Sequence, residues 1–403
     1  MGPTHRTVSP AEVRERLRAG SELALLDVRT LEEHRAGHLL WAAHVAPDQL
    51  DRVPALVPRR ATPIVLAEVA ADRAATVAGE LHARGYSNVS VLAGGNAGWV
   101  ADGGALHAKL CVPSKGLAEQ ARRVYETPEV SAEELAALQD GPAGPPLVLD
   151  VRTAPEYARG TIPGAVSCPG GELVLRAFDL VDPDRPVVVT CAGRTRAIFG
   201  AQSLIDAGLP NPVSFLTGGT SAWTASGRAL EVGAQRLAPE PGRAGAALAR
   251  EAAGRLAERF ALRIADRAGL VALLAEATDH TTYLIDPRTP APPTAHPLAR
   301  AVPAGQLVEA VDEFLGVLGA RVVLLDDPPF TRAVPIARWL EQLGTFDVIV
   351  AAASDAPDLA GDPAAPPVAL AGAEDVEAWS IALPDRLASE PGVAFRHFPA
   401  LVA

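Results

Sequence analysis

Alternating buried strands and amphipathic helices, in a pattern that the chain repeats, predict tandem α/β domains, each a parallel sheet covered by helices on both faces. Two repeated landmarks support this prediction. LLDVRT at 25–30 recurs as VLDVRT at 148–153 and more loosely as LIDPRT at 284–289. A Gly-Gly pair with a Trp four residues later recurs at 94–99 and 218–223, in the same order and at nearly the same spacing. The third copy lacks this second landmark.

The second copy shows the predicted elements most clearly. The apolar runs at 147–151, 187–190 and 213–216 are typical of strands buried in a parallel sheet. Thr153 and Glu156 have the spacing of a capping box that opens a helix. Apolar residues at helical spacing predict a helix over 196–207, and Gly208 follows as its stop signal.

The repeats set the expected domain boundaries. Repeat one is predicted over 1–107, repeat two over 128–231 and repeat three over 254–353. Residues 108–127 and 232–253 are predicted linkers, the second with some tendency to turn helical. Residues 354–403 are too few for a fourth copy, and we expect a remnant or a cap there.

Composition excludes several functional classes. With 48% hydrophobic and 21% charged residues the chain suits globular domains, and its net charge of −12 disfavours nucleic acid and membrane partners. Three scattered cysteines fit neither a disulfide framework nor a zinc site, so we expect no cofactor and no metal. No signal peptide or membrane-spanning run stands out, and a cytoplasmic location is expected.

The segment VVVTCAGRTRAI at 187–198 places Cys191 between a buried strand and the start of a helix. Ligands of open α/β sheets bind at this end of the strands, and free N–H groups at a helix start favour an anion. Together with Arg194 and Arg196, these groups are expected to lower the thiol pKa from about 8.5 toward neutrality and so favour a nucleophilic thiolate. The competing interpretation is a small buried hydrophobe.

These motifs resemble the rhodanese homology family. The resemblance rests on the DVRxxxEYxxGxIPGA pattern at 150–165, on CAGRTR at 191–196 and on the Gly-Gly-Trp landmark at 218–223. The segments 169–173 and 201–204 are similar to the second repeat of bacterial proteins built from four tandem rhodanese units, and 305–312 echoes the same group. We expect this chain to end before a full fourth repeat.

The resemblance implies a two-step transfer of sulfur. Cys191 would take a sulfane sulfur from a donor such as thiosulfate, become a persulfide, and pass the sulfur to cyanide or a thiol. The loop Ala192, Gly193, Arg194, Thr195 and Arg196 would bind the substrate, its amides holding the persulfide. In that scheme the two arginines orient the donor and stabilise the leaving sulfite.

Asp150 and Arg152 are expected at a neighbouring strand end, where they would brace the loop. The alternative for them is a purely structural ion pair involving Glu156.

Two further readings of the chain stay open. Related phosphatases and arsenate reductases use a loop one residue longer than the four residues between Cys191 and Arg196, so the shorter loop favours sulfur. A non-catalytic binding or regulatory protein is the other alternative, since two copies lack the cysteine. The aligned loops place Glu68 at the cysteine position in repeat one and Asp327 in repeat three, where Pro328 and Pro329 remove two N–H donors.

Both cysteine-free copies are therefore predicted to be catalytically silent, and to pack against repeat two, narrow its mouth or bind a protein partner. Cys168 is interpreted as a core residue and Cys111 as incidental. Trp99 and Trp223 are interpreted as packing anchors. His34, His38 and His44 are expected at surface or capping positions.

Overall fold

The computed structural model describes residues 6–67, 71–180, 182, 184–288 and 299–356. Three sheets of parallel strands, each flanked by helices, follow one another along the chain. This architecture confirms the predicted fold class. Within those ranges, no helix combines the length and the apolar character needed to cross a membrane.

The first repeat has its strands and helices in alternation. Their bounds are β1 Arg6–Val8, α1 Pro10–Ala19, β2 Leu23–Asp27, α2 Leu31–Ala36, β3 Ala43–His44, α3 Val53–Leu56, β4 Ile64–Ala67, α4 Ala71–Ala83, β5 Val89–Leu92 and α5 Gly95–Ala101. The parallel strand order is β1-β5-β4-β2, and β3 also pairs with β2. A helix α6, Val112–Tyr125, then leads to the second repeat.

The second repeat matches the sequence prediction closely. Its elements are β6 Glu129–Val130, α7 Ala132–Gln139, β7 Leu147–Asp150, α8 Ala154–Arg159, β8 Val166–Ser167, α9 Leu173–Arg176, β9 Val187–Thr190, α10 Thr195–Asp206, β10 Val213–Leu216 and α11 Gly219–Ala225. The sheet order is β6-β10-β9-β7-β8. Thr153 and Glu156 form the predicted capping box of α8, and Gly208 follows α10 with φ of 78°.

The third repeat follows a helix α12, Arg243–Arg259. Its elements are β11 Arg263–Ala265, α13 Arg267–Ala275, β12 Thr282–Asp286, β13 Arg300–Ala301, α14 Ala304–Glu309, α15 Val311–Phe314, β14 Val317–Leu318, β15 Arg321–Asp326, α16 Ala333–Leu343 and β16 Asp347–Ala352. The parallel order β11-β16-β15-β12-β13 repeats that of the second sheet.

The two predicted linkers are packed helices. One face of α6 is buried, including Leu117, Glu119 and Tyr125, and the helix packs against α10. Helix α12 runs to Arg259, so the predicted boundary at 253/254 falls inside it and is wrong. Both helices bury apolar faces that composition alone does not reveal. Almost all of the predicted tail, 354–403, lies outside the described residues.

Repeat three also completes the sheet of repeat one. Strand β14 pairs antiparallel with β2, joining Val317 to Ala24 and Leu318 to Leu23. The Tyr283 hydroxyl donates a hydrogen bond of 2.5 Å to the carbonyl oxygen of Leu56. One hydrophobic core cluster accordingly contains residues of all three repeats. The repeats therefore pack as one body, which brings side chains of repeat three to the loop that carries Cys191.

Candidate active site around Cys191

Cys191 follows the last residue of β9, at the carboxyl end of the second sheet. Thr190, the residue before it, pairs with Asp150 of β7. Helix α10 begins four residues later at Thr195, and the backbone N–H groups of Gly193 and Ala197 act to lower the pKa of the thiol. The loop therefore forms the amide cradle that an anionic sulfur requires. Only 2% of Cys191 is exposed, so this cradle is closed to solvent.

The Gly-Gly pair at 218–219 fixes the shape of this loop. Gly219 has φ of 54°, and a Cβ atom on it would lie 2.2 Å from the carbonyl oxygen of Cys191 and 2.6 Å from that of Gly193. The next two N–H groups, of Thr220 and Ser221, donate hydrogen bonds to the carbonyl oxygens of Cys191 and Ala192 at 2.9 and 3.2 Å. Only glycine permits this close approach, so the start of α11 holds the loop in place.

Asp150 and Arg152 form a buried ion pair with each other. The guanidinium donates to both carboxylate oxygens, at 3.0 and 2.7 Å, and to the carbonyl oxygen of Gly160 at 2.6 Å. The Asp27–Arg29 and Asp286–Arg288 pairs repeat this arrangement, as their bond lengths and partners show. A pair present in repeats without a cysteine serves the fold. The suggested pair of Arg152 with Glu156 is wrong.

Glu156 instead binds Arg196, together with a carboxylate from repeat three. Arg196 donates to the two oxygens of Glu156 at 2.9 and 2.8 Å. Its Nε atom lies 2.9 Å from Oε2 of Glu309, the last residue of α14. The Arg196 side chain is 3% exposed, so its positive charge is divided between two carboxylates. This arrangement lowers the pKa of Glu156 to about 2, because bonds from Arg196 outweigh the opposing effect of burial.

Arg194 is held by carboxylates as well. Its Nε atom lies 3.0 Å from Oε1 of Glu119 on α6, and its Nη2 atom lies 3.9 Å from Oε2 of Glu129 on β6. Thr195, the first residue of α10, is buried. Sequence analysis missed Glu119 and Glu309 because they come from the supposed linker and from another repeat. The resemblance of segment 305–312 to tandem rhodanese proteins was the one sequence signal near Glu309.

The predicted pKa of Cys191 is wrong for this arrangement. Burial raises the pKa of the thiol to about 11, against the opposing charge of Arg196, and Glu309 raises it further. The arginines and the amides are local in the sequence, whereas the loss of solvent and the added carboxylate arise from packing. With a pKa of about 11 the buried thiol is neutral at pH 7, and formation of the nucleophilic thiolate requires a lower pKa. Burial also raises the pKa of Glu309 itself.

Two clefts approach the loop between repeats two and three. One, with a cavity volume of about 20 Å³, includes Arg196, Thr153 and Gln306 in its walls. The other, with a cavity volume of about 30 Å³, is lined by Arg196 together with apolar residues such as Phe199 and Trp339. Both share the start of α14 as a wall. Of the loop 191–196, Arg196 lines both clefts.

In repeat three the counterpart of Cys191 is Asp326 rather than Asp327. Ile285 pairs with Leu324 in the sheet, so Asp286 lies opposite Leu325, the residue before Asp326. In repeat two, Asp150 pairs with Thr190, the residue before Cys191. The loop that follows is longer than in repeat two, which displaced the alignment by one residue.

The Asp326 carboxylate fills the cradle of its own loop. It accepts hydrogen bonds from the N–H groups of Asp327 at 2.8 Å and of Arg332 and Ala333 at 3.0 Å. Asp327 instead pairs with Arg288 at 2.9 Å. The expected anion-free loop is therefore occupied by an internal carboxylate, which is incompatible with binding a second anion.

The corresponding loop of repeat one, with Glu68, lies outside the described residues. Beside it, the histidines expected at surface or capping positions are buried, which corrects that prediction. His34 contacts Asp27 through Nδ1 at 2.9 Å and stacks on His38 at 3.8 Å between ring centroids. Burial lowers the pKa of His38 to about 3 and also lowers that of His44. Across the part of the chain that the structure describes, no group of three or more potential ligands could hold a metal.

Comparison with known proteins agrees with this architecture. The family model described as a rhodanese-like domain matches residues 9–102 and 131–226. A crystal structure of thiosulfate sulfurtransferase from Pseudomonas aeruginosa is 40% identical, with a TM-score of 0.83 over 89% of this chain and 68% of that one. The chain belongs to the rhodanese family. The similarity to the sulfurtransferase structure covers 89% of this chain and so extends into the third repeat, which the family model does not reach.

Smaller rhodanese-like structures match single stretches of the chain. The solution structure of a rhodanese-like domain from Anabaena is 32% identical and covers 26% of this chain and 79% of that one, with a TM-score of 0.25. A protein of unknown function from Rhodopseudomonas palustris, described as a possible tyrosine phosphatase, is 28% identical. It covers 29% of this chain and 93% of that one, with a TM-score of 0.26. No curated protein sequence matches the chain.

Proposed function

We propose that this rhodanese is a sulfurtransferase that carries sulfane sulfur as a persulfide on Cys191. The observation that carries the proposal is the position of this thiol between the end of β9 and the start of α10, where the N–H groups of Gly193 and Ala197 favour its ionised form. Such an arrangement stabilises negative charge on sulfur, which both the thiolate and the persulfide bear. The similarity to a thiosulfate sulfurtransferase over 89% of the chain supports the same chemistry.

The reaction has two steps, and each exchanges one bond to the transferred sulfur. The Cys191 thiolate attacks the outer sulfur of thiosulfate, the S–S bond of the donor breaks, and sulfite leaves with the electron pair. The acceptor, cyanide or a thiolate, then attacks the outer sulfur of the persulfide. The bond to Cys191 breaks, the thiolate is regenerated, and thiocyanate or a new persulfide leaves.

The neighbouring residues have supporting roles in this proposal. The loop 192–196 holds the charged persulfide, and Asp150 and Arg152 brace the strand end beside it. Arg196 can face an anionic donor only after it separates from Glu309, because both its edges are occupied by carboxylates in the closed site. Opening also readmits water to the thiol and so lowers its pKa. The chemistry suits the cytoplasm, where thiols remain reduced.

The short loop disfavours the alternative of a phosphatase or arsenate reductase. A non-catalytic binding or regulatory role is favoured by one observation, the burial of Cys191 in the closed site. Initial rates of thiocyanate formation from thiosulfate and cyanide separate this role from catalysis. We expect turnover in the wild type, none above background in Cys191→Ser, and near wild-type rates in Cys168→Ala, which removes the other buried thiol of repeat two. Equal rates in the wild type and Cys191→Ser would contradict the proposal.

A further inference from the structure

Two carboxylates from outside repeat two reach the arginines of the Cys191 loop. Arg196 lies between Glu156 of its own repeat and Glu309 of repeat three, at 2.8 and 2.9 Å. Arg194 lies between Glu119 of α6 and Glu129 of β6. Each guanidinium thus faces two carboxylates. These carboxylates offset the positive charge that the loop sequence CAGRTR carries.

Glu309 can act on substrates through Arg196, which it contacts and which lines both clefts. It ends α14, the helix whose first residues form a wall of both clefts. Its side chain is 13% exposed and contacts Arg196, which is 3% exposed. Water screens such charges weakly, so Glu309 affects any charged group that enters beside Arg196. Its field also reaches Cys191, whose thiol it makes harder to ionise.

The same interface carries a reciprocal contact in the opposite direction. Glu172 of repeat two binds Arg332, the residue that precedes α16 and closes the Asp326 loop of repeat three. Glu172 and Glu309 therefore each cross the interface to an arginine of the partner loop. Glu172 also lines the first cleft beside Arg196, so it is not a neutral control. Glu313 is the matched control for effects on packing, because it pairs across an interface with Arg52 of repeat one at 2.7 Å and has the same 13% side-chain exposure as Glu309.

We propose that Glu309 is a specificity-determining residue of the Cys191 site, which selects against anionic thiol acceptors and favours acceptors that carry a positive charge, such as aminothiols. The proposal rests on the sulfur transfer proposed above. In that step the acceptor thiolate attacks the outer sulfur of the Cys191 persulfide, the S–S bond breaks, and its electron pair returns to Cys191. An ammonium group two carbons from the attacking sulfur would be attracted by the Glu309 charge beside Arg196.

The first test measures the charge at the mouth without any sulfur transfer. Iodoacetamide and iodoacetate have nearly the same size and differ by one negative charge. Their rates of reaction with Cys191 are compared by peptide mass spectrometry at about pH 9, where part of the thiol is ionised. We expect iodoacetamide to be preferred in the wild type, about tenfold less preferred in Glu309→Gln, and preferred as in the wild type in Glu313→Gln.

The second test uses two-carbon thiols as acceptors from the Cys191 persulfide: cysteamine, 2-mercaptoethanol and thioglycolate. Dividing the rate of each variant by the wild-type rate for the same thiol removes the intrinsic reactivity of that thiol. We expect Glu309→Gln to slow cysteamine and to accelerate thioglycolate, each relative to 2-mercaptoethanol, by about tenfold. Glu313→Gln should change all three by one common factor.

Two results would overturn the proposal. One is the same iodoacetamide preference in Glu309→Gln and the wild type, and the other is a common factor for all three thiols in Glu309→Gln. Either would leave Glu309 as an interface ion pair. Loss of sulfur transfer in every form of the protein would instead refute the proposed function, and the alkylation ratio would still decide the charge of the mouth.

Discussion

Replacing Gly219 by Ala tests how the cysteine loop is held. The new Cβ would lie 2.2 Å from the carbonyl oxygen of Cys191, far inside van der Waals contact, so the loop must move by about 1 Å. The left-handed φ of 54° adds about 1–2 kcal/mol of strain for any residue other than glycine. The hydrogen bonds from Thr220 and Ser221 to the loop carbonyl groups, each worth about 1 kcal/mol, would weaken as well.

A displacement of this size in a reacting group costs about 100-fold in rate. We therefore expect Gly219→Ala to lower kcat/KM for thiocyanate formation by about 100-fold. Gly227→Ala is the matched control, since Gly227 also has a positive φ, 83°, but its Cβ would meet no atom within 4 Å. The control should share the backbone strain and keep its activity. Equal activities of the two variants would refute this account of the loop.

Three further predictions concern the buried charges. Burial raises the pKa of Cys191 in the folded protein to about 11, so its alkylation rate should still rise between about pH 9 and pH 11. Over the same window the wild type should lose thermal stability relative to Cys191→Ser, because the unfolded chain ionises first. An alkylation rate that levels off near pH 7 would contradict this prediction. In urea unfolding, Asp326→Ala should lower the free energy of unfolding by about 2–4 kcal/mol and Asp327→Ala by less than about 1 kcal/mol. A larger loss in Asp327→Ala than in Asp326→Ala would support Asp327 as the counterpart of Cys191. Asp150→Ala and Asp27→Ala should each cost about 3–5 kcal/mol, and a loss confined to activity in the first would argue against a structural pair.

Much of the second repeat could be predicted from local sequence. Strands 187–190 and 213–216 have the predicted bounds, since buried parallel strands need continuous apolar runs and these end at charged or turn residues. The position of Cys191 follows from the same pattern. The Asp-x-Arg motif also has a local cause, because its ion pair joins residues only two positions apart.

The electrostatics of the site could not be predicted in this way. Glu309 reaches Arg196 from a different repeat, and the contact depends on how the repeats pack. Helix α6 looked like a linker because its burial arises from contacts with α10 and α16. The loop of repeat three was aligned on Arg332, and its greater length shifted the counterpart of the cysteine to Asp326. In each case long-range packing decided the outcome.

The intact mass of the protein after treatment with thiosulfate tests the central claim most directly. The wild type should gain the mass of one sulfur atom and lose it again when cyanide is added, with release of thiocyanate. Cys191→Ser should gain nothing. No sulfur adduct on the wild type with thiosulfate or with glutathione persulfide, or an equal adduct on Cys191→Ser, would contradict the account of Cys191 as the sulfur carrier.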